Sequence, residues 1–427
     1  MPGDKSISHR ALLLATLAGG SSRVTGAGDG ADVRSTAGIM RALGATLDAS
    51  PSADGRNIDY RIESPGADRL QAPRETLDCG NSGTSLRLVA GALAGLPLRA
   101  VLDGDASLRR RPVARIIEPL RRMGADVHGR DDDSLPPLTV VGRTPLTAID
   151  HATPVPSAQV KSAILLAGLR ADGRTTVRER VATRDHTERM LRARGIPVER
   201  ATDDEGRTAW TVQGGLAMTA IDQQVAGDVS GAAFWLVAGS IHPDAELTLR
   251  GVGVNPTRRA IVDLLRAMGA DIEERPITDP AAGDVGEPMA DLVVRSSSLH
   301  AIDLGPAEVA AAIDEIPVLC LAATRATGRT TIRGAGELRH KESDRIAGIT
   351  AGLRALGARV QIEGDDLHVH GTATLRGTTT DSHDDHRLAM TFAIAGLMAT
   401  DHTTIDRPGS AAVSYPGFFA DLEGVRA

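Results

Sequence analysis

One short theme recurs along the chain and limits what it can fold into. It reads "MRALGATLD" from Met40, "LRRMGADV" from Leu120, "LRARGIPV" from Leu191, "LRAMGADI" from Leu265 and "LRALGARV" from Leu353, at spacings of about 70 to 90 residues. Each copy has the form of a helix end. A basic last turn suits the helix dipole, a glycine supplies the left-handed residue after the helix, and a β-rich stretch follows. "LEGVRA" near the C-terminus reads as a degraded sixth copy. A second echo runs with it: "LAGLRADGRTTVR" from Leu166 and "LAATRATGRTTIR" from Leu321 share nine of thirteen residues and read as helix, glycine turn and strand. A third is weaker, Gly-Asp-x-Ser at Gly3 and again at Gly227.

Six units of helix, strand, helix, strand, strand have too long a period for a solenoid. The return of the opening motif near residue 227 splits them three and three. The expectation is two similar domains of mixed helix and strand, residues 5–224 and 225–427, with residues 1–4 joining the second and the boundary near Gln223–Asp228. Ligand sites favour the cleft between such domains.

Composition narrows the function. The 427 residues carry a net charge of −7, which draws the whole chain neither to nucleic acid nor to an anionic membrane. Aromatic residues are 2%, too few for base-stacking platforms. Cys79 and Cys320 are the only cysteines; they make no disulfide framework, which fits a reducing, cytoplasmic setting.

Cations and small polar residues gather where apolar helices begin. In "GDKSISHR", Ser6 is placed to cap a helix through Leu17, with Lys5 before it and Arg10 one turn on; a helix start with two cations suits an anion. The turn Gly80, Asn81, Ser82, Gly83, Thr84 lets backbone N–H groups approach a ligand. Arg109, Arg110 and Arg111 precede Pro112, which suits a first helical turn. Ser157 and Gln159 stand just before an apolar helix. Asp314 and Glu315 precede Pro317 and another, as a possible carboxylate pair. In "RHKESDRIAGITAGLRALG", Ile346, Ile349, Leu353 and Leu356 mark a buried face, and Lys341 and Arg345, with Glu342 beside them, mark another. His383, Asp384, Asp385 and His386 have metal-ligand chemistry, but Arg387 beside them favours an anion. Six cations at helix starts in both halves (Lys5, Arg10, Arg111, Lys341, Arg345, Arg387) imply a small substrate, or two, with several negative charges. Asp314 and Glu342 stand among them as acid–base groups.

Taken together, "PGDKSISHRA", "LDCGNSGT", "RRRPVARIIEPL", "SAQVKSAILLAG", "TRDHTERML", "ELRHKESDRI" and "DDHRLAM" resemble the signatures of the enolpyruvyl transferases, in their EPSP synthase branch, over nearly the whole chain. The resemblance implies an α+β fold, an α/β prism of two domains of three βαβαββ units each. The substrates it implies are shikimate 3-phosphate and phosphoenolpyruvate, with no metal or organic cofactor and a monomeric enzyme. Lys5 would touch both substrates. Ser6 and Arg10 would hold the carboxylate of shikimate 3-phosphate; Ser157, Ala158 and Arg184 its phosphate. Gln159 would lie between the substrates. Asn81, Gly83 and Arg111 would surround the phosphate of phosphoenolpyruvate, and Arg345 and Arg387 would clamp its carboxylate. Asp314 would take the 5-hydroxyl proton, and Glu342 would protonate the methylene carbon, with Lys341 and His386 assisting.

The chain departs from the pattern at Val413, where one branch has Lys, at Glu337, where that branch has Asn, and at Ala226 in the hinge turn. Relatives carry a strand before "PGDKS", so the expectation is a native start upstream of Met1. Within the class the rival is UDP-N-acetylglucosamine enolpyruvyl transferase, whose acidic Cys has no counterpart in residues 105–120. A non-catalytic phosphometabolite-binding protein and a metal-dependent hydrolase using "HDDH" are the other rivals.

Overall fold

The computed structural model describes residues 1–53, 55–278, 283, 285–371 and 374–426. The chain divides into two compact units. The first comprises Gly3–Val225 with Ala281–Glu287; the second comprises Met1–Pro2, Ala226–Pro280 and Pro288–Ala427.

The first unit holds three four-stranded sheets of one topology. Their strand orders are Gln223–Gln224, Gly20–Gly28, Asn57–Ser64, Thr46–Pro51; then Leu77–Asp78, Arg99–Asp103, Leu135–Val141, Asp126–Gly129; then Asp150–Ala152, Arg174–Glu179, Thr208–Gln213, Val198–Thr202. In each, a parallel pair joins an antiparallel hairpin. In the second and third sheets the parallel partner precedes its helix in sequence. In the first it is Gln223–Gln224, from the far end of the unit.

Six principal helices go with these sheets: α1 Lys5–Ala18, α2 Ala31–Ala42, α3 Gly83–Ala94, α4 Ala114–Arg122, α5 Ala158–Gly168 and α6 His186–Ala193. α1, α3 and α5 are the core helices. Every residue of α1 from Ile7 to Leu17 is buried, as is every residue of α5 from Val160 to Gly168. Helices that are apolar all round must lie inside. α3 and α5 touch where Gly91 meets Ala163: a Cβ at Gly91 would fall 2.3 Å from the Ala163 carbonyl oxygen, so only glycine allows the approach.

The second unit repeats the plan with α7 Val229–Ile241, α8 Ala260–Ala267, α9 Ile316–Arg325, α10 Arg345–Ala355, α11 His386–Leu397 and α12 Phe418–Arg426. α7, α9 and α11 are its core helices, buried along their length. Its middle sheet has the full order Asp303–Leu304, Arg329–Ile332, Asp366–His370, Arg359–Glu363. The sheet before it has three strands, Glu246–Gly253, Met289–Arg295 and Asp271–Pro276, with a single parallel bridge from Gly227 to Val252 at the free position. The last has two, Thr379–Asp381 and Thr404–Asp406, and α12 follows in place of a hairpin. Leu422–Arg426 of "LEGVRA" lies inside α12, so among the described residues the sixth copy of the theme forms no helix–turn–strand corner. Among the described residues no helix is long and apolar enough to cross a membrane.

The five full copies of the theme fold alike. They end α2, α4, α6, α8 and α10, and their glycines take positive φ: Gly44 103°, Gly124 98°, Gly195 79°, Gly269 96° and Gly357 93°. Their arginines do more than oppose the helix dipole. Each donates to the carbonyl six residues on, in the following strand. Nε reaches the oxygen at 3.0 Å from Arg41 to Leu47, 2.7 Å from Arg121 to Val127, 3.0 Å from Arg192 to Val198, 3.2 Å from Arg266 to Ile272 and 2.8 Å from Arg354 to Val360. The arginine thus fixes the angle at which each helix hands over to its hairpin.

Candidate active site

The three core helices of each unit bring their N-terminal turns together. In the first unit this is shown by side chains that join them: Arg10 of α1 donates to Ser162 of α5 (2.9 Å), Arg87 of α3 donates to Gln159 of α5 (2.8 Å), and His9 of α1 meets Thr36, which in turn meets Ser85 of α3 (both 2.7 Å). Three converging helix starts concentrate free N–H groups and positive dipole ends, a setting for anions.

The cap of α1 is Asp4, not Ser6: its carboxylate accepts from the Ile7 N–H at 2.9 Å, and Ser6 lies inside the first turn. Aspartate wins because it sits one residue before helical backbone begins, and Asp228 caps α7 in the same way in the echoed motif. Lys5 pairs with Asp32 at 3.1 Å. Arg10 is buried, donating to Thr187 Oγ1 (2.7 Å), Ser6 O (3.0 Å) and Ser162 Oγ (2.9 Å), all neutral oxygens. Burial lowers its pKa to about 10, still a cation at neutral pH.

α3 starts at Gly83, capped by Ser82, whose hydroxyl accepts from the Ser85 N–H at 3.0 Å. Arg111 donates to Asn81 at 2.6 Å, and Asn81 donates to Asp105 at 2.8 Å. Pro112 precedes α4, which begins only at Ala114. Arg109 pairs with Asp103 at 2.5 Å and is exposed, so the arginine run splits: Arg111 joins the site and Arg109 does not. Arg87 belongs to this cluster although the sequence reading passed over it. It donates to Gly83 O (3.2 Å), Gln159 Oε1 (2.8 Å) and Pro112 O (2.9 Å), and burial with neighbouring Arg111 and Arg115 lowers its pKa to about 10. Gln159 is within α5, not before it, and also donates to Thr84 (3.0 Å). Ser157 caps α5, and Ala158 is its first residue. Arg184 lies in the turn between the strand Arg174–Glu179 and α6.

In the second unit the centre is Arg345, the first residue of α10 and 1% exposed. It donates to Asp385 Oδ2 (2.8 Å) and Glu342 Oε2 (2.6 Å) and lies 3.4 Å from Asp314 Oδ1. Burial works to lower its pKa, but Glu342, Asp385 and Asp314 outweigh that and raise it. Lys341 is 3.6 Å from Asp314 and 3.6 Å from Glu337. Lys341 and Glu342 precede α10, in the turn after Gly336–His340, so Lys341 does not share a helix face with Arg345.

Two sequence groupings come apart. Asp314 and Glu315 do not face each other. Asp314 turns to Arg345 and Lys341, whereas buried Glu315 accepts from Arg258 (3.0 Å) and from the Ser230 hydroxyl. The "HDDH" run is likewise divided. His383 and Asp384 take positive φ, and Asp384 pairs with Arg407 at 3.0 Å. Asp385 caps α11 through the Arg387 N–H (2.8 Å) and holds Arg345. His386 is buried as the first residue of α11. Arg387 donates to Ser230 O at 3.3 Å and lies 3.7 Å from Glu315. Through Ser230 and Glu315 the starts of α7, α9 and α11 converge, as those of α1, α3 and α5 do.

The fold is that of a class of carboxyvinyl-transferring enzymes. A solved EPSP synthase from Acinetobacter baumannii superposes with a TM-score of 0.88 at 38% identity, covering 99% of this chain and 94% of that one. The chain belongs to the EPSP synthase (3-phosphoshikimate 1-carboxyvinyltransferase) family, whose model matches residues 1–422. Curated 3-phosphoshikimate 1-carboxyvinyltransferases are similar over almost their whole length. That of Gloeobacter violaceus is 51% identical over 425 residues, 99% of this chain and 95% of the relative; that of Geobacter sulfurreducens is 48% identical over 428 residues, 100% and 95%.

Proposed function

We propose that this chain transfers the enolpyruvyl group of phosphoenolpyruvate to the 5-hydroxyl of shikimate 3-phosphate, releasing phosphate, and that residues of both units serve this one reaction. Family membership over residues 1–422 supports the reaction. The observation that carries the chemistry is local: one buried guanidinium, Arg345, holds both Glu342 and Asp314.

In this reading Arg345 and Arg387 clamp the carboxylate of phosphoenolpyruvate, a task suited to the guanidinium fork. Asn81, Gly83 and Arg111, with Arg87 added, take its phosphate. Ser6 and Arg10 take the carboxylate of shikimate 3-phosphate. Ser157, Ala158 and Arg184 take its phosphate, Gln159 lies between the two substrates, and Lys5 touches both. Asp314 removes the 5-hydroxyl proton as the oxygen adds to C2 of phosphoenolpyruvate. Glu342 protonates the methylene carbon, making it a methyl group and giving a tetrahedral intermediate, with Lys341 and His386 assisting. Loss of a proton from that methyl group and of phosphate from C2 then yields the enol ether. Acid–base groups and cations supply every step without a cofactor.

Glu342→Gln and Asp314→Asn test the roles. Each is expected to lower kcat by roughly 10²- to 10⁴-fold while the Kd for phosphoenolpyruvate changes much less. An unchanged kcat in either variant removes that residue from the proton transfers.

A further inference from the structure

Lys161 is a charged group that the chemistry above leaves unused. It lies in the first turn of α5, where the helix is apolar, and its side chain is 0% exposed. Its ammonium is 2.9 Å from Glu179 and 2.9 Å from Glu188, both also fully buried. It donates to the Thr183 carbonyl at 3.3 Å and sits 5.1 Å from the centroid of the Trp210 ring. The Thr183 hydroxyl donates to Glu179.

Three elements meet at this ammonium: α5, the last residue of the strand Arg174–Glu179, and α6, which carries Glu188. The segment between the last two is residues 180–185. Lys161 holds both of its ends and, through Thr183, the backbone next to Arg184. Ionised groups this deep cost several kcal/mol each to desolvate, and apolar residues of equal volume commonly pack at least as stably. Stability alone therefore gives little reason for three of them here.

Their neighbours suggest the reason. Glu188 follows Thr187, whose hydroxyl accepts from Arg10 and donates to Ser162 at 2.7 Å. Arg10 itself bonds neutral oxygens. Burial pushes the Glu188 carboxyl up and Lys161 opposes it, and the Lys161 group lies one residue from Thr187 without occupying the Arg10 N–H groups. With its bonds going to neutral oxygens, the Arg10 guanidinium keeps its charge and further donors for an incoming anion.

We propose that Lys161, Glu179 and Glu188 form a positioning group for shikimate 3-phosphate. It fixes the turn that carries Arg184 and the start of α6, which orients Arg10, against the Ser157–Ala158 start of α5. This rests on the assignment of Arg10, Ser157, Ala158 and Arg184 to that substrate. Lys161 touches no substrate; it acts through the others.

The mildest probe is Thr183→Val, which keeps the volume and removes the hydroxyl on Glu179, with Thr183→Ser as the variant that restores it. Lys161→Met removes the centre of the group, and Arg184→Ala tests the assignment beneath it. Kinetics with both substrates varied, together with thermal unfolding, give the readouts. Thr183→Val is expected to raise the KM for shikimate 3-phosphate roughly tenfold, with kcat and the KM for phosphoenolpyruvate within about twofold and Thr183→Ser close to the parent. Lys161→Met is expected to go further in the same direction; where it does not fold, the Thr183 pair decides. A lowered Tm with an unchanged KM in Thr183→Val overturns the proposal while leaving Arg184 in place. An unchanged KM in Arg184→Ala overturns the assignment and the proposal together.

Discussion

Gly83 lies directly against the Arg87 guanidinium. A Cβ built on Gly83 would fall 2.5 Å from Arg87 Nη1 and 3.5 Å from Arg111 Nη1. Arg87 cannot simply swing away, because Gln159 and the Pro112 carbonyl hold it. In the reading proposed above, Gly83→Ala should therefore displace a cation that serves the phosphate of phosphoenolpyruvate. The KM for phosphoenolpyruvate is expected to rise roughly 10-fold, and the KM for shikimate 3-phosphate to change much less. Equal changes in both constants would show that Gly83 does not discriminate between the two substrates.

Asp385 and Arg345 form a buried pair, 0% and 1% exposed, and Asp385 also caps α11. Asp385→Asn preserves the cap but weakens the pairing. Removing one charge of a buried pair costs about 3–5 kcal/mol, reduced here because Glu342 and Asp314 still face the guanidinium. Urea unfolding should show a loss of about 1–3 kcal/mol, and the KM for phosphoenolpyruvate should rise more than that for shikimate 3-phosphate. A variant as stable as the parent would mean that Glu342 and Asp314 already satisfy Arg345.

His9 sets an acid limit. Burial, opposed mainly by Asp32, lowers its pKa from 6.5 to about 3, so it stays neutral where the unfolded chain binds a proton. The stability it contributes is present above pH 6.5 and is lost as pH falls from 6.5 toward 3. Between pH 7 and pH 5 that loss is about 2 kcal/mol. Unfolding free energies of the parent and of His9→Asn at both pH values check this; the parent should lose about that much more than the variant. Parallel slopes would mean that His9 titrates alike in both states.

The repeated corners offer a backbone test. Gly357 has φ 93° and, among the described residues, nothing closer than 3.7 Å to an added Cβ, so Gly357→Ala meets conformational strain but little crowding. It should destabilise by about 1–2 kcal/mol in urea unfolding. Gly409, which has no positive φ and nothing within 4 Å of an added Cβ among the described residues, is the control and should change little. Equal effects at the two positions would remove the left-handed turn as the cause.

The repeats were legible in the sequence because a left-handed corner restricts its residue so tightly that glycine marks it five times. The role of the preceding arginines was not, because bonding a carbonyl six residues on depends on the angle between helix and strand. In the site, residues flanking helix starts stood out, such as Lys5, Gly83 and Ser157. Arg87 and Lys161 did not, since each lies in an apolar helix that periodicity reads as core. A cation in the opening turns of an otherwise apolar helix was the available signal, and Arg10 already displayed it. Arg258 and Thr187 carry no local signal; only the fold brings them to Glu315 and Arg10. Pairs adjacent in sequence misled for the opposite reason. Asp314 and Glu315 diverge because neighbours at a helix start point to different sides.

The reaction itself is tested most directly by phosphate release. With phosphoenolpyruvate and shikimate 3-phosphate together, steady release of one phosphate per enol ether formed is expected. Omitting either substrate should abolish it, and UDP-N-acetylglucosamine should not replace shikimate 3-phosphate. Release from phosphoenolpyruvate alone, release supported by UDP-N-acetylglucosamine, or no release with both substrates present would contradict the account.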